Sequence, residues 1–100
     1  MPEINNNEKI HLSSRLRYRA IGDEGVMVHL ENGRVMVVNE VGIFIVETLG
    51  RQDMTVVELA DKVTGAFEVD KNQARADVTA FLDQLRGEQA IEMINTSAED

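Results

Sequence analysis

Few side chains in this chain are equipped for acid–base, nucleophilic or metal chemistry, and none stands in a reactive spacing. His11 and His29 share no metal-ligand spacing. There is no cysteine, which removes thiolate catalysis, disulfides and cysteine-based zinc sites. Ser13 and Ser14 come with no motif that supplies a base. The acidic pairs Asp23 and Glu24, Glu58 and Asp61, and Asp77 and Asp83 read as a turn, helix caps and solvated helix faces. The run GDEG at 22–25 lacks the Lys-Ser/Thr and the strand-to-helix setting of a phosphate-binding loop. The expectation is a protein with no catalytic residue, no metal and no cofactor, hence not an enzyme.

What is left is recognition, and composition narrows its kind. One hundred residues, 43% of them hydrophobic, suit one domain with one core. With only Tyr18, Phe44, Phe67 and Phe81 as aromatics, that core is built from Val, Ile, Leu, Ala and Met. A net charge of −8 works against nucleic acid, whose phosphates call for clustered Lys and Arg, and against anionic membrane surfaces. No apolar run nears the ~20 residues needed to span a bilayer, and the N-terminus has no signal-peptide pattern. A cytoplasmic location is expected. The one local basic feature is the stripe Arg15, Arg17 and Arg19, which is either an exposed strand face or a docking surface for an acidic partner.

The elements that position these groups follow from periodicity. In RLRYRAI, Leu16, Tyr18 and Ala20 alternate with the three arginines, the pattern of a half-buried strand. A turn at 22–25 leads into VMVHL, and Asn32-Gly33 favours a two-residue type I′ turn into RVMVV. That turn sets Glu31 opposite Arg34, His29 opposite Met36 and Val28 opposite Val37. The face with Val26, Val28, Leu30, Val35 and Val37 is then the expected core face. Met27, His29, Met36 and Val38 face the other way, edged by a Glu31–Arg34 ion pair worth ~0.5 kcal/mol. Asn39 as N-cap, Gly50 as C-terminal stop and Val41, Phe44, Ile45, Thr48 and Leu49 between them predict a first helix. Thr55 and Glu58 form a capping box ahead of Val56, Leu59, Ala60 and Val63. A third helix starts at Asp70, with Ala74, Val78, Phe81, Leu82 and Leu85 on its buried face. QAIEMI predicts a short terminal strand. The reading is an α+β fold, a three-stranded antiparallel meander followed by three helices, winged helix-turn-helix-like. Residues 1–12 are expected to be a flexible arm, 13–94 the domain and 95–100 a flexible tail.

This succession of motifs resembles the PqqD-like family. The residues that carry the likeness are Asn39, Gly42, Thr55, Glu58, Leu59, Asp77, Phe81, Leu82 and Leu85, across roughly residues 15–92. The chain departs from the family where L-x-x-G-L-L/I follows the third helix. Here Gly87 comes two residues early and Gln89 stands where glycine is expected. The resemblance implies a non-catalytic recognition element for ribosomally made, post-translationally modified peptides. Such an element binds the leader region of a precursor peptide and presents it to a peptide-modifying enzyme, for example a radical SAM enzyme, a protease or a cyclase. It places the leader as an added strand on residues 34–38, with the third helix as the other wall of the groove.

The residues agree independently. The last strand of a meander is an edge with unpaired backbone groups, and Arg34 is its only charge. Strand addition uses those groups, and alternate side-chain pockets select the guest. The expected peptide-binding residues are Arg34, Val35, Met36, Val37 and Val38 on the strand and Arg75, Val78, Thr79 and Leu82 on the helix. Two rivals use the same elements: a DNA-binding winged helix, opposed by Asp70, Asp77 and Asp83 on the third helix, and a homodimer joined through the apolar edge.

Overall fold

The structure, a computed structural model, describes residues 8–95. Strands β1 (Glu8–Leu12), β2 (Leu16–Ile21), β3 (Glu24–His29) and β4 (Val35–Val38) precede helices α1 (Glu40–Arg51), α2 (Val56–Ala66) and α3 (Lys71–Gly87), and strand β5 (Ile91–Asn95) follows. The expected α+β meander and three helices are present, with sheet order β2-β3-β4. The flexible arm expected over residues 1–12 is corrected at 8–12. Those residues pair as β1 with the predicted terminal strand, β5, in a second two-stranded sheet. Ile10 and Leu12 are buried there, and Ile10 bridges Met54 through two backbone hydrogen bonds. The tail expected at 95–100 lies, apart from the backbone of Asn95, outside the described residues.

The caps form as their chemistry requires. Asn39 and Asp70 accept backbone N–H bonds from Gly42 and Gln73, at 2.8 and 2.7 Å. The Thr55–Glu58 capping box is closed in both directions. Gly50 does not stop α1, which continues to Arg51. Its glycine serves packing instead, because a Cβ there would collide with the Tyr18 hydroxyl. Likewise a Cβ on Gly25 would come within 2.5 Å of Ile43, so this glycine lets α1 lie directly on β3.

The β3–β4 hairpin differs from expectation in two ways. Gly33 carries the positive φ of +74°, and the Asn32 side chain accepts from the Arg34 N–H. Together they make a longer turn, closed by His29 N–H to the Arg34 carbonyl and Gly33 N–H to the His29 carbonyl. The register becomes Met27 opposite Met36, and Val28 opposite Val35. The expected Glu31–Arg34 pair does not form. A shift of two residues preserves face parity, so the predicted partition of side chains survives. Its orientation is reversed: Met27, His29 and Val38 are buried, while Val35 and Val37 are 63% and 66% exposed. The cause lies in β2, where Arg17 pairs with Val28 and Arg19 with Val26. Cross-strand partners share a face, and a face carrying arginines stays in water.

His29 is therefore a core residue. Its Nδ1 accepts from the Glu31 N–H at 3.2 Å, so the ring proton is on Nε2, which donates to the Gln89 carbonyl at 3.1 Å. Gln89 ends α3 in a Schellman arrangement, with Gln89 N–H bonded to Arg86 and Ala90 N–H to Leu85. It takes φ +60° without being glycine, at the position where the family pattern has one. Relieving that conformation with Gln89→Gly is expected to raise stability by about 1 kcal/mol. The urea midpoint should rise with an unchanged m-value; a lower midpoint would show that the glutamine side chain contributes more than its backbone costs.

Candidate functional site

Among the described residues β4 has one neighbour, β3, and its other edge is open. In an antiparallel ladder, backbone groups alternate between the partner and the free side. The His29 N–H bond to the Arg34 carbonyl sets the phase, so Arg34, Met36 and Val38 turn their backbone groups to β3. Val35 and Val37 turn theirs outward. The open edge thus offers two N–H donors and two carbonyl acceptors in a row. Side chains alternate at right angles to this: Met36 and Val38 lie on the core side of the sheet, Val35 and Val37 on its outer side.

Two links tie the C-terminal half of α3 to the residues around this edge, one direct and one through α1. The Arg34 guanidinium grips Glu88 with both carboxylate oxygens, Nε to Oε1 at 2.7 Å and Nη2 to Oε2 at 3.0 Å. At the other end, Gly42 sits between Val38 and the Phe81 ring, so closely that a Cβ would lie 3.0 and 3.2 Å from them. From Phe81 to Glu88 α3 rises ~10 Å, and from Arg34 to Val38 the strand covers ~13 Å. The two links are therefore spaced similarly along helix and strand, in opposite chain directions. Next to the Val38 end lies a cleft of about 310 Å³ lined by Asn39, Val41, Gly42 and Ile45 from the start of α1, and by Asp77, Ala80, Phe81 and Gln84 of α3. Its walls combine an apolar floor with a carboxylate, and the Asp77 carboxylate also accepts from Gln73 at 2.8 Å.

The nine expected site residues divide clearly. Arg34, Val35, Met36, Val37 and Val38 form the edge. Val78 and Leu82 are completely buried in the core and present no surface. Arg75 and Thr79 each stand two residues from Asp77, about 200° round the helix, on the flank away from the cleft. The α3 side chains on the cleft include Asp77, Phe81 and Gln84, and Glu88 just past the helix meets Arg34; of these, periodicity selects only Phe81, and as a core residue. A signal existed: of the residues that carry the family likeness, Asn39, Gly42, Asp77 and Phe81 neither cap α2 nor fill the core, and all four line the cleft. His11, expected in an arm, is in β1 and bonds Asp53 through Nδ1 at 2.9 Å.

The sequence matches the family described as coenzyme PQQ synthesis protein D (PqqD) over residues 24–91. Among curated proteins none matches. Two solved structures share the fold. One is TbiB1 in complex with the TbiA(beta) leader peptide, with TM-score 0.73 and 24% identity over 90% of this chain and 99% of that one. The other is lasso peptide synthetase B1 complexed with the leader peptide, with TM-score 0.67 and 18% identity over 83% of this chain and 96% of that one.

The edge geometry has a direct measurement. In native-state hydrogen exchange, the amides of Val35 and Val37 should exchange at rates near those of a loop, while Met36 and Val38 are protected. Protection of all four would mean that the edge is already paired, for example by a second copy.

Proposed function

The chain belongs to the PqqD family, and from that premise and the open edge of β4 we propose that it is a non-catalytic recognition protein for the leader region of a ribosomally made precursor peptide. The observation that carries the proposal is the row of outward backbone groups at Val35 and Val37 on the free edge of β4. The leader adds as an antiparallel strand and bonds to those two residues. Its alternate side chains enter the groove between Met36, Val38 and α3. Both solved structures that share the fold were determined with a leader peptide bound, which supports the same reading.

Energetically, four main-chain bonds at about 0.5–1.5 kcal/mol each supply affinity without sequence preference. Selectivity comes from the cleft at the end of the groove, where an apolar guest side chain lies against Val41, Ile45 and Phe81. A cationic or hydroxyl-bearing neighbour meets Asp77. The cleft lining carries the Asp77 carboxylate and no cation, which suits a peptide and opposes a nucleic-acid backbone. The bound leader leaves the rest of the precursor free for a peptide-modifying enzyme. Precursor and recognition protein meet where the precursor is made, so this reading includes a cytoplasmic location; no helix among the described residues is long and apolar enough to cross a membrane.

The test exploits the direction of one N–H. Val37→Pro deletes an outward donor and leaves the β3 ladder intact, a placement that edge strands tolerate. Titrated with the N-terminal segment of the precursor encoded beside this chain, the variant should bind at least tenfold more weakly than wild type while keeping its circular dichroism spectrum. Equal affinity would remove the strand-addition geometry.

A further inference from the structure

The outer face of the β2-β3-β4 sheet is an exposed apolar feature that the peptide groove does not use. Two cross-strand rows run over it: Arg17, Val28 and Val35, then Arg19, Val26 and Val37. Ile21, 59% exposed, extends the second strand end. Among the described residues no element packs over these rows, and Val35 and Val37 are about two-thirds exposed. A contiguous apolar face of this kind marks an interaction surface on a protein of this size. Between the strands is a shallow depression of about 240 Å³ lined by Arg17, Tyr18, Arg19, Ile21, Val26 and Val28, large enough for one bulky apolar side chain.

Charge says what covers it. In a chain of net charge −8, Arg17 and Arg19 stand together on this face, and neither has an ion pair among the described residues. The Arg17 guanidinium donates to the carbonyls of Ser14 and Leu16, which hold it at the rim of the valine rows. A second copy would bring the same cations and the same overall negative charge, so it is a poor match. An apolar surface rimmed by carboxylates is complementary in both respects.

We propose that the outer sheet face is the docking surface for the peptide-modifying enzyme, which presents a bulky apolar side chain to the depression and Asp or Glu side chains to Arg17 and Arg19. This rests on the reading of the chain as a leader-recognition protein. β4 links the two surfaces. The outward side chains of a guest strand stand beside Val35 and Val37, so a bound leader widens the outer face by one strand. The enzyme then meets carrier and leader side by side, and by linkage each strengthens the binding of the other.

The experiment measures binding of two purified ligands to the full chain: the leader segment and the modifying enzyme encoded with it. The variants are Arg17→Glu with Arg19→Glu, and separately Ile21→Ser, each checked for an unchanged melting curve. Expected results are leader affinity within twofold of wild type, and enzyme affinity at least tenfold lower for the charge reversal and several-fold lower for Ile21→Ser. Wild-type enzyme binding should weaken with salt and tighten when leader is present. Enzyme affinity unaffected by both variants overturns the proposal, as does failure of the wild-type chain to bind the enzyme. Self-association, or binding to anionic vesicles or duplex DNA, that is lost with the same arginines also overturns it, in favour of that occupant. If the leader does not bind but the enzyme does, in an Arg17- and Arg19-dependent manner, the surface stands and the leader reading falls.

Discussion

The imidazole of His29 donates to the Gln89 carbonyl from a completely enclosed position, and that bond ties the C-terminal end of α3 to the sheet. His29 closes the β3–β4 turn, and Gln89 is the residue at which α3 ends. Around it, Glu88 reaches Arg34, the Ala90 carbonyl accepts from Ser13 at 2.8 Å, and Ile91 pairs with Leu12. Four consecutive residues thus fasten the helix end to both sheets. Deleting the imidazole removes the donor from a part-buried bond, a loss of about 0.5–1.5 kcal/mol. It also frees the α3 end that defines one side of the groove. A left-handed Gln89 is the geometric condition for this joint, since it turns the carbonyl back toward β3.

The two outer edges of the meander are treated differently, and the difference has a physical logic. β2 is occupied by side chains that discourage pairing: arginines on its outer face and Tyr18 packed against α1 at Gly50. β4 is short, four residues, and only Arg34 beside it is charged. An unprotected edge is an aggregation hazard. On the proposed reading, the edge is left open because an extended guest chain pairs with it.

Local chemistry was legible in the sequence, and long-range geometry was not. Asn39, Thr55 and Asp70 marked three helix starts because a cap is decided by a residue and the N–H groups two or three positions on. The stripes of α2 and α3 followed from period alone. β1 escaped because EKIHL offers only two core side chains, Ile10 and Leu12, and its partner β5 is some 80 residues away. The hairpin faces were sorted correctly and then turned the wrong way, since period 2 separates faces without saying which is wet. The arginine stripe held that information, but only once the Gly22-Asp23 turn aligned Arg19 with Val26. The candidate site shows the same division. The edge was legible from strand order, whereas the groove flank of α3 depended on helix rotation against α1. That rotation is set by Phe81 meeting Gly42, a contact with no local signature.

The inverted face also changes what β4 is for. Had Val35 and Val37 been core residues, the strand would have one free property, its backbone edge. With both exposed, β4 has three separable directions: Met36 and Val38 toward the groove, backbone groups along the edge, and two valines toward the outer face. A guest strand on that edge inherits the same alternation. Were a leader bound as proposed, every second guest side chain would be read by the groove, and the ones between would remain on the outer face. On the proposed reading, a leader therefore carries two interleaved messages, one for the protein that holds it and one for the enzyme that acts on it. Period 2 keeps them apart, so either can change without disturbing the other. That independence gives a small recognition protein a reason to leave apolar valines in water.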